Sequence, residues 1–161
     1  MPLIDLPRTA GCLVCGPSNP HGLRLTSRVD PDTGSVHTPF TPASHHIGFE
    51  GLVHGGVLAT VADEAMVWAA IWASRRACVA GDLAVRFRRP SAPGVALVIV
   101  ATVVRSRARL VEASATVTTL AGELVASATG KYLAGTPDET TAFLRTLLPD
   151  PASAAAAAHL S

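Results

Sequence analysis

His54-Gly55-Gly56 stands directly before a run of almost wholly apolar residues that reaches Ala73, and two acids, Asp63 and Glu64, interrupt that run. Backbone N–H groups at the start of a helix have no intrahelical partner and carry partial positive charge, and glycine leaves them open to a carbonyl oxygen. Gly55 and above all Gly56 therefore read as an oxyanion site. An acid inside an apolar helix is stripped of water, an arrangement associated with acids that do chemistry. Asp63 is the expected general base or nucleophile. Glu64, about 100° further round the helix, is its rival and is expected in a structural or dimer-contact role. His54 is expected to orient the glycine turn by hydrogen bonding more than to transfer protons.

Geometry then constrains how these groups cooperate. Nine steps of about 1.5 Å and 100° separate His54 from Asp63, which leaves their side chains on opposite faces roughly 13 Å apart. One helix cannot bring both to one reacting atom. If they serve one centre, the glycines of one subunit face the acid of another, and the protein is at least a symmetric dimer. Pairing of dimers into a homotetramer is the further expectation.

Other residues have weaker claims. Arg86 and Arg88 share one strand face, with Leu83, Val85 and Phe87 on the other. A solvated edge and a phosphate site both suit them, since guanidinium forks match phosphate oxygens. Cys12 and Cys15 have a metal-like spacing, yet no second cysteine pair exists, so no metal and no cofactor are expected. Trp68 and Trp72, four residues apart, read as core or dimer packing, with the lining of a ligand pocket as the alternative.

The elements that must position these groups follow from pattern. The 161 residues are 48% hydrophobic, enough for one compact domain with a sizeable core. A formal net charge of +1 and 4% aromatic residues provide neither the basic field nor the stacking surface of a nucleic-acid binder. No leader-like segment opens the chain, and Val95 to Val104 is too short to span a bilayer, so no membrane partner is expected. Three cysteines cannot all pair within one chain, which suits a reducing, cytoplasmic setting.

Residues 1–22 read as an irregular segment rich in Gly, Pro and Cys. Leu23 to Val29 alternates like a strand and turns through Asp30 to Gly34 into a partner near Ser35 to Phe40. A helix is expected from about Gly55 to Arg75. Strands over Val79 to Arg89, Val95 to Ser106, Val111 to Leu120 and Leu124 to Leu133 are expected to form an antiparallel meander. A short helix is expected over Pro137 to Leu148, and residues 149–161 read as a flexible, Ala-rich tail with little to bury. The order β-β-α-β-β-β-β buries its helix only if the sheet curls round it. The expected fold is thus α+β: a single hotdog domain over residues 23–148, its curled antiparallel sheet wrapped around one long central helix.

His54-Gly55-Gly56 with Asp63 nine positions after the histidine resembles the motif of hotdog thioesterases of the phenylacetate-pathway type. Cys12-x-x-Cys15-Gly16-x-x-Asn19-Pro20-x-Gly22-Leu23, His46-x-Gly48-x-x-Gly51-Leu52-Val53 and Asp82-Leu83-x-Val85-x-Phe87-x-x-Pro90 resemble further segments of that family. The resemblance covers roughly residues 12 to 133. It implies hydrolysis of acyl-CoA or acyl-carrier thioesters to free acid and thiol, with the helix acid as base or nucleophile and the glycine amides on the thioester carbonyl. It also implies a place for His46 at the pocket rim, where a surface or hydrogen-bonded histidine is the plainer reading, and for Arg86 and Arg88 at the coenzyme A phosphates. Two positions depart from relatives: Gly48 where some carry Asn, and Ala80 where some carry Ser or Thr. Both changes thin the shell that would orient water. A hotdog enoyl-thioester hydratase or dehydratase and a non-catalytic acyl-CoA binding module are the alternatives.

Overall fold

The computed structural model describes residues 1–161. Seven strands, β1 (Ile4–Asp5), β2 (Arg28–Val29), β3 (Val36–Phe40), β4 (Cys78–Phe87), β5 (Leu97–Arg107), β6 (Leu110–Thr119) and β7 (Leu124–Ala134), form one antiparallel sheet. The sheet curls round α1 (Gly55–Ser74), which packs on β3, β4, β5, β6 and β7. Two short helices, α2 (Pro137–Leu144) and α3 (Ala154–Leu160), complete the α+β hotdog architecture that the sequence pattern predicts.

The helix is apolar because it is enclosed. Val61, Ala62, Ala65, Met66, Ala69 and Ala70 are fully buried against the sheet, where Ile99, Val111, Val117 and Tyr132 meet them. Small residues let the curled sheet approach the helix closely, and larger ones fill the gaps between strands. Arg75 ends α1 in the left-handed region, φ 54°, with its N–H on the Ile71 carbonyl. Its Nε donates to the His159 carbonyl at 2.8 Å, which ties the chain's last helix to the end of α1.

Four expectations need correction. The strand expected over Leu23 to Val29 contributes only Arg28 and Val29 to the sheet. Leu23 and Leu25 still pack on the core, but their N–H groups donate to the Leu13 and Val14 carbonyls at 2.8 Å. The alternation reported burial correctly and said nothing of which backbone would pair.

The four long strands are not a simple meander. Beyond β3 the sheet runs β5-β6-β7-β4, so β4 pairs with β7 and lies at the sheet's edge. The chain leaves α1 at Ser74 and enters β4 at Cys78, so β4 must begin beside the helix's C-terminal end. It then crosses back to place β5 against β3.

Near the C-terminus, α2 ends at Leu144, four residues before the expected limit. It starts with a full capping box: the Thr136 hydroxyl accepts from the Glu139 N–H, and the Glu139 carboxylate accepts from the Thr136 N–H. Beyond it, the Ala-rich tail does have something to bury. Ala156 and Leu160 on α3 lie in the core, and the His159 ring stacks on Trp72 with centroids 3.8 Å apart.

Candidate active site

The first turn of α1 is held from both sides before it does anything. The Val53 N–H donates to the Ser91 carbonyl at 2.8 Å and the His54 N–H to the His46 carbonyl at 2.9 Å. His54 is the N-cap, with extended backbone at φ −63° and ψ 131°. Its Nδ1 accepts from the Gly56 N–H at 2.8 Å, so the neutral ring carries its proton on Nε2. The His54 carbonyl accepts from Val57 at 3.0 Å and Leu58 at 3.4 Å.

This leaves one unpaired donor in the turn. The Gly55 N–H has no hydrogen-bond partner, whereas the Gly56 N–H, the expected leader of the oxyanion site, is already satisfied by the histidine. A histidine at the cap position shifts the free donor one residue toward the N-terminus. His54 thus caps the glycine turn through its ring nitrogen.

The glycines are needed for different reasons. A Cβ at Gly56 would lie 2.9 Å from His54 Nδ1 and push the ring off its cap. A Cβ at Gly55 would lie 3.0 Å from the ring of Phe87, which leans over this turn. Gly48 sits against the same histidine: a Cβ there would be 3.0 Å from His54 Cδ2. The His54 ring crowds the position from which a longer side chain would extend.

Gly55 opens onto a cleft of about 490 Å³, lined also by Phe49, Leu52, Phe87, Arg88, Arg89 and Ser91. Ser91 is buried there, and its hydroxyl has no partner. Two guanidinium groups at the rim, a free amide and an unpaired hydroxyl make a site for a polar, anionic ligand with an apolar extension. Arg86 lies elsewhere, in a groove of about 390 Å³ on the outer face of the sheet with Ser114, Thr116, Ser127 and Thr129. Arg88 lines both spaces and joins them, although β4 has ended one residue before it. His46 lines neither. Its Nδ1 accepts from the Ala43 N–H at 2.9 Å and its ring packs against Phe40 and His45. Burial, then the His45 charge, pulls its pKa down.

Asp63 is partly buried in the middle of α1 and does not line the Gly55 cleft. The Tyr132 hydroxyl donates to Asp63 Oδ1 at 2.8 Å. Tyr132 is fully buried on β7; burial, then the Asp63 charge, pushes its pKa up, so it remains a donor. Gly130 makes room for it, since a Cβ there would fall 2.7 Å from the tyrosine ring. One carboxylate oxygen is thereby fixed and the other is left for chemistry. Glu64 faces a different neighbourhood: Trp68 Nε1 donates to it at 3.1 Å, and burial raises its pKa. The two tryptophans are packing residues, Trp68 beside Phe143 and Trp72 beside His159.

Tyr132 and Ser91 have no place in the sequence reading. Tyr132 is the chain's single tyrosine, which was the available signal, but its partner lies 69 residues away. Ser91 gives no signal in a Pro-Ser-Ala-Pro-Gly turn.

The thioesterase superfamily's sequence profile matches residues 50–126, which run from the glycine turn through α1 to the start of β7. Among curated proteins none matches the chain. Several solved structures share the fold. A thioesterase superfamily protein superposes with a TM-score of 0.71 at 25% identity, over 77% of this chain and 60% of that one, so the chain spans less than two thirds of that relative. The E. coli PaaI protein from the phenylacetic acid degradation operon has a TM-score of 0.60 at 23% identity, over 64% of this chain and 74% of its own. A Streptococcus mutans protein solved with acetyl-CoA bound has a TM-score of 0.61 at 20% identity, over 64% of this chain and 82% of its own. The curled sheet and enclosed helix have the hotdog fold, and over residues 50–126 the chain is similar to the thioesterase superfamily.

Proposed function

We propose that the protein hydrolyses acyl-CoA, or the equivalent acyl-carrier thioester, to free acid and thiol. The observation that carries this reading is the unpaired Gly55 N–H at the start of α1, opening onto a cleft whose rim holds Arg88 and Arg89. The thioester carbonyl accepts from Gly55, where the developing oxyanion meets the positive end of the helix. The Arg88 guanidinium, and Arg86 through the adjoining groove, face the coenzyme's phosphates. Phe49, Leu52 and Phe87 supply the apolar wall for the acyl group. The acetyl-CoA bound to the Streptococcus mutans protein supports this ligand class, since the two chains share the fold.

Asp63 supplies the other half. It stands about 13 Å along the helix from His54, and Tyr132 holds one of its oxygens. In the working assembly the Asp63 of one copy faces the Gly55 cleft of its partner. The long β4 edge, with Val79 and Phe87 exposed, is the surface on which two copies pair, and two such dimers make the tetramer. The free Asp63 oxygen deprotonates a water, which attacks the carbonyl, or attacks directly to give an anhydride that water then opens. In both routes the C–S bond breaks and the thiolate receives the proton that the attacking water gives up, passed through Asp63 in the first route and released as water opens the anhydride in the second.

The test is free-thiol release from short, medium and aromatic acyl-CoAs, with the native protein and with Asp63→Asn. Collapse of turnover in the variant, with assembly unchanged, supports the assignment. Hydration of an enoyl-CoA without thiol release, or tight binding without turnover, overturns it. Single turnover in ¹⁸O-water separates the two routes: direct attack by water puts the label in the acid product, whereas an anhydride opened at the Asp63 carbonyl puts it in the Asp63 carboxylate and releases unlabelled acid.

A further inference from the structure

The proposed hydrolysis makes no use of Glu64, or of the two cysteines near the start of the chain, yet the structure brings all three together. A sulfur of Cys12, a sulfur of Cys15 and a carboxylate oxygen of Glu64 lie within 4.8 Å of one another. Cys15 is buried, and Glu64 has no cationic partner.

The turn that carries the cysteines is built like a metal knuckle. The Val14 and Cys15 N–H groups donate to Cys12 Sγ at 3.3 and 3.4 Å, so two backbone dipoles stabilise negative charge on that sulfur. The Gly16 N–H closes the turn on the Cys12 carbonyl at 3.0 Å. Only glycine fits there: a Cβ at Gly16 would lie 2.4 Å from that oxygen and 2.7 Å from the Ala10 carbonyl. Residues after the knuckle brace it, since Leu23 and Leu25 donate to the Leu13 and Val14 carbonyls. The knuckle is therefore fixed before any ion arrives, and α1 presents Glu64 to it from the core side.

We propose that Cys12, Cys15 and Glu64 bind one zinc-class divalent cation between the N-terminal knuckle and the central helix. Bonds of about 2.3 Å to sulfur and 2.0–2.2 Å to oxygen place tetrahedral ligands roughly 3.5–3.8 Å apart. The observed cluster, with its ligand atoms within 4.8 Å of one another, reaches that geometry by small side-chain rotations. Two thiolates select a soft or borderline ion over magnesium or calcium. On binding, the two thiols release their protons to solvent and the carboxylate binds as the anion, leaving a centre of net charge −1. Water fills the fourth position. The ion joins residues 1–22 to the helix that carries Asp63, one position from the acid.

The test uses the full-length, reduced protein loaded with Co²⁺ after chelation, read by visible absorption and by metal content. The expected result is one ion per chain, thiolate-to-cobalt charge transfer, intense tetrahedral d–d bands and displacement by one equivalent of Zn²⁺. Cys12→Ser and Cys15→Ser should each lose the charge-transfer band's full intensity and weaken zinc at least tenfold. Glu64→Gln, nearly the same shape, should weaken it by a similar factor. Cys78→Ser should bind as the native chain does, because the Cys78 sulfur lies against Ser74 and the Arg76 carbonyl. Failure of the reduced native protein to retain any ion overturns the proposal. So does undiminished binding by Glu64→Gln, or loss of binding in Cys78→Ser.

Discussion

The first turn of α1 and its middle make an instructive pair, because both serve one proposed reaction and they are built in opposite ways. The first turn works through backbone. Its donor is an amide, its organiser is the adjacent His54, and the residues that fix it, Gly48, Gly55 and Gly56, lie within a few positions of one another. The middle works through side chains whose partners come from far away: Tyr132 for Asp63, and the Cys12-Cys15 knuckle for Glu64. Local sequence can specify an amide's exposure; it cannot specify which strand will reach an acid.

The largest effect should come from the middle. Asp63→Asn removes the group that activates or delivers the attack, and thiol release should fall about 10³-fold. Glu64→Gln should lose less than tenfold, because its neighbours lie on the other flank of the helix. Equal losses in both variants would dissolve the distinction between the two acids. The measurement is kcat on one acyl-CoA, with assembly checked by sedimentation.

The two glycines sharpen the picture of the first turn. Gly55→Ala puts a methyl beside the free N–H and under the Phe87 ring, and kcat should fall about 10²-fold. Phe87 is exposed and its ring can move, so stability should change little. Gly56→Ala should do the reverse in proportion. The methyl displaces the His54 ring from its cap, which costs about 1–2 kcal/mol of stability in a denaturant midpoint measurement. If Gly56→Ala abolishes turnover while stability holds, the Gly56 amide is the working donor and the His54 cap opens during the reaction.

This contrast also explains what the sequence could show. His54, Gly55, Gly56, Asp63 and the long enclosed helix were legible because periodicity and local spacing carry them. The curled sheet was legible from element order, but the place of β4 was not: strand propensity does not encode which edge a strand joins. Which amide of the turn stays free was not legible, because it depends on the capping His54 Nδ1 reaching the Gly56 N–H. Arg86 and Arg88 share a strand face in the pattern, yet the strand ends at Phe87 and only Arg88 reaches the Gly55 cleft. Ser91 became visible only as a buried hydroxyl without a partner.

Tyr132→Phe probes the remote support of the middle. The phenol donates a hydrogen bond to a carboxylate, and such bonds contribute about 1.5–3 kcal/mol. Its loss frees both Asp63 oxygens and relaxes the carboxylate's aim. We expect kcat to fall about tenfold, which is roughly 1.4 kcal/mol of barrier, with KM nearly unchanged because the tyrosine is buried away from the cleft. A change confined to KM would mean that Tyr132 shapes the substrate's site and does not position Asp63.

The smallest effect belongs to the loop that leads into the first turn. His46 Nδ1 accepts from the Ala43 N–H, and the His46 carbonyl receives the His54 N–H, so this residue holds the entry to α1 while staying neutral. Its pKa is lowered in the fold, by burial first and then by the His45 charge, from an ordinary value of 6.5. Between the lowered value and 6.5 the unfolded chain binds more protons than the folded one, so stability rises with pH through that window and falls on acidification. Full benefit is present above the unfolded value. The chemical cause agrees with the sign: protonating Nδ1 turns an acceptor into a donor facing an N–H. His46→Gln keeps an acceptor for Ala43 and cannot titrate, so its denaturant midpoint should lose this part of the acid dependence while matching the native protein at neutral pH. If the two curves run parallel down through this window, His46 is not the group that loosens the turn.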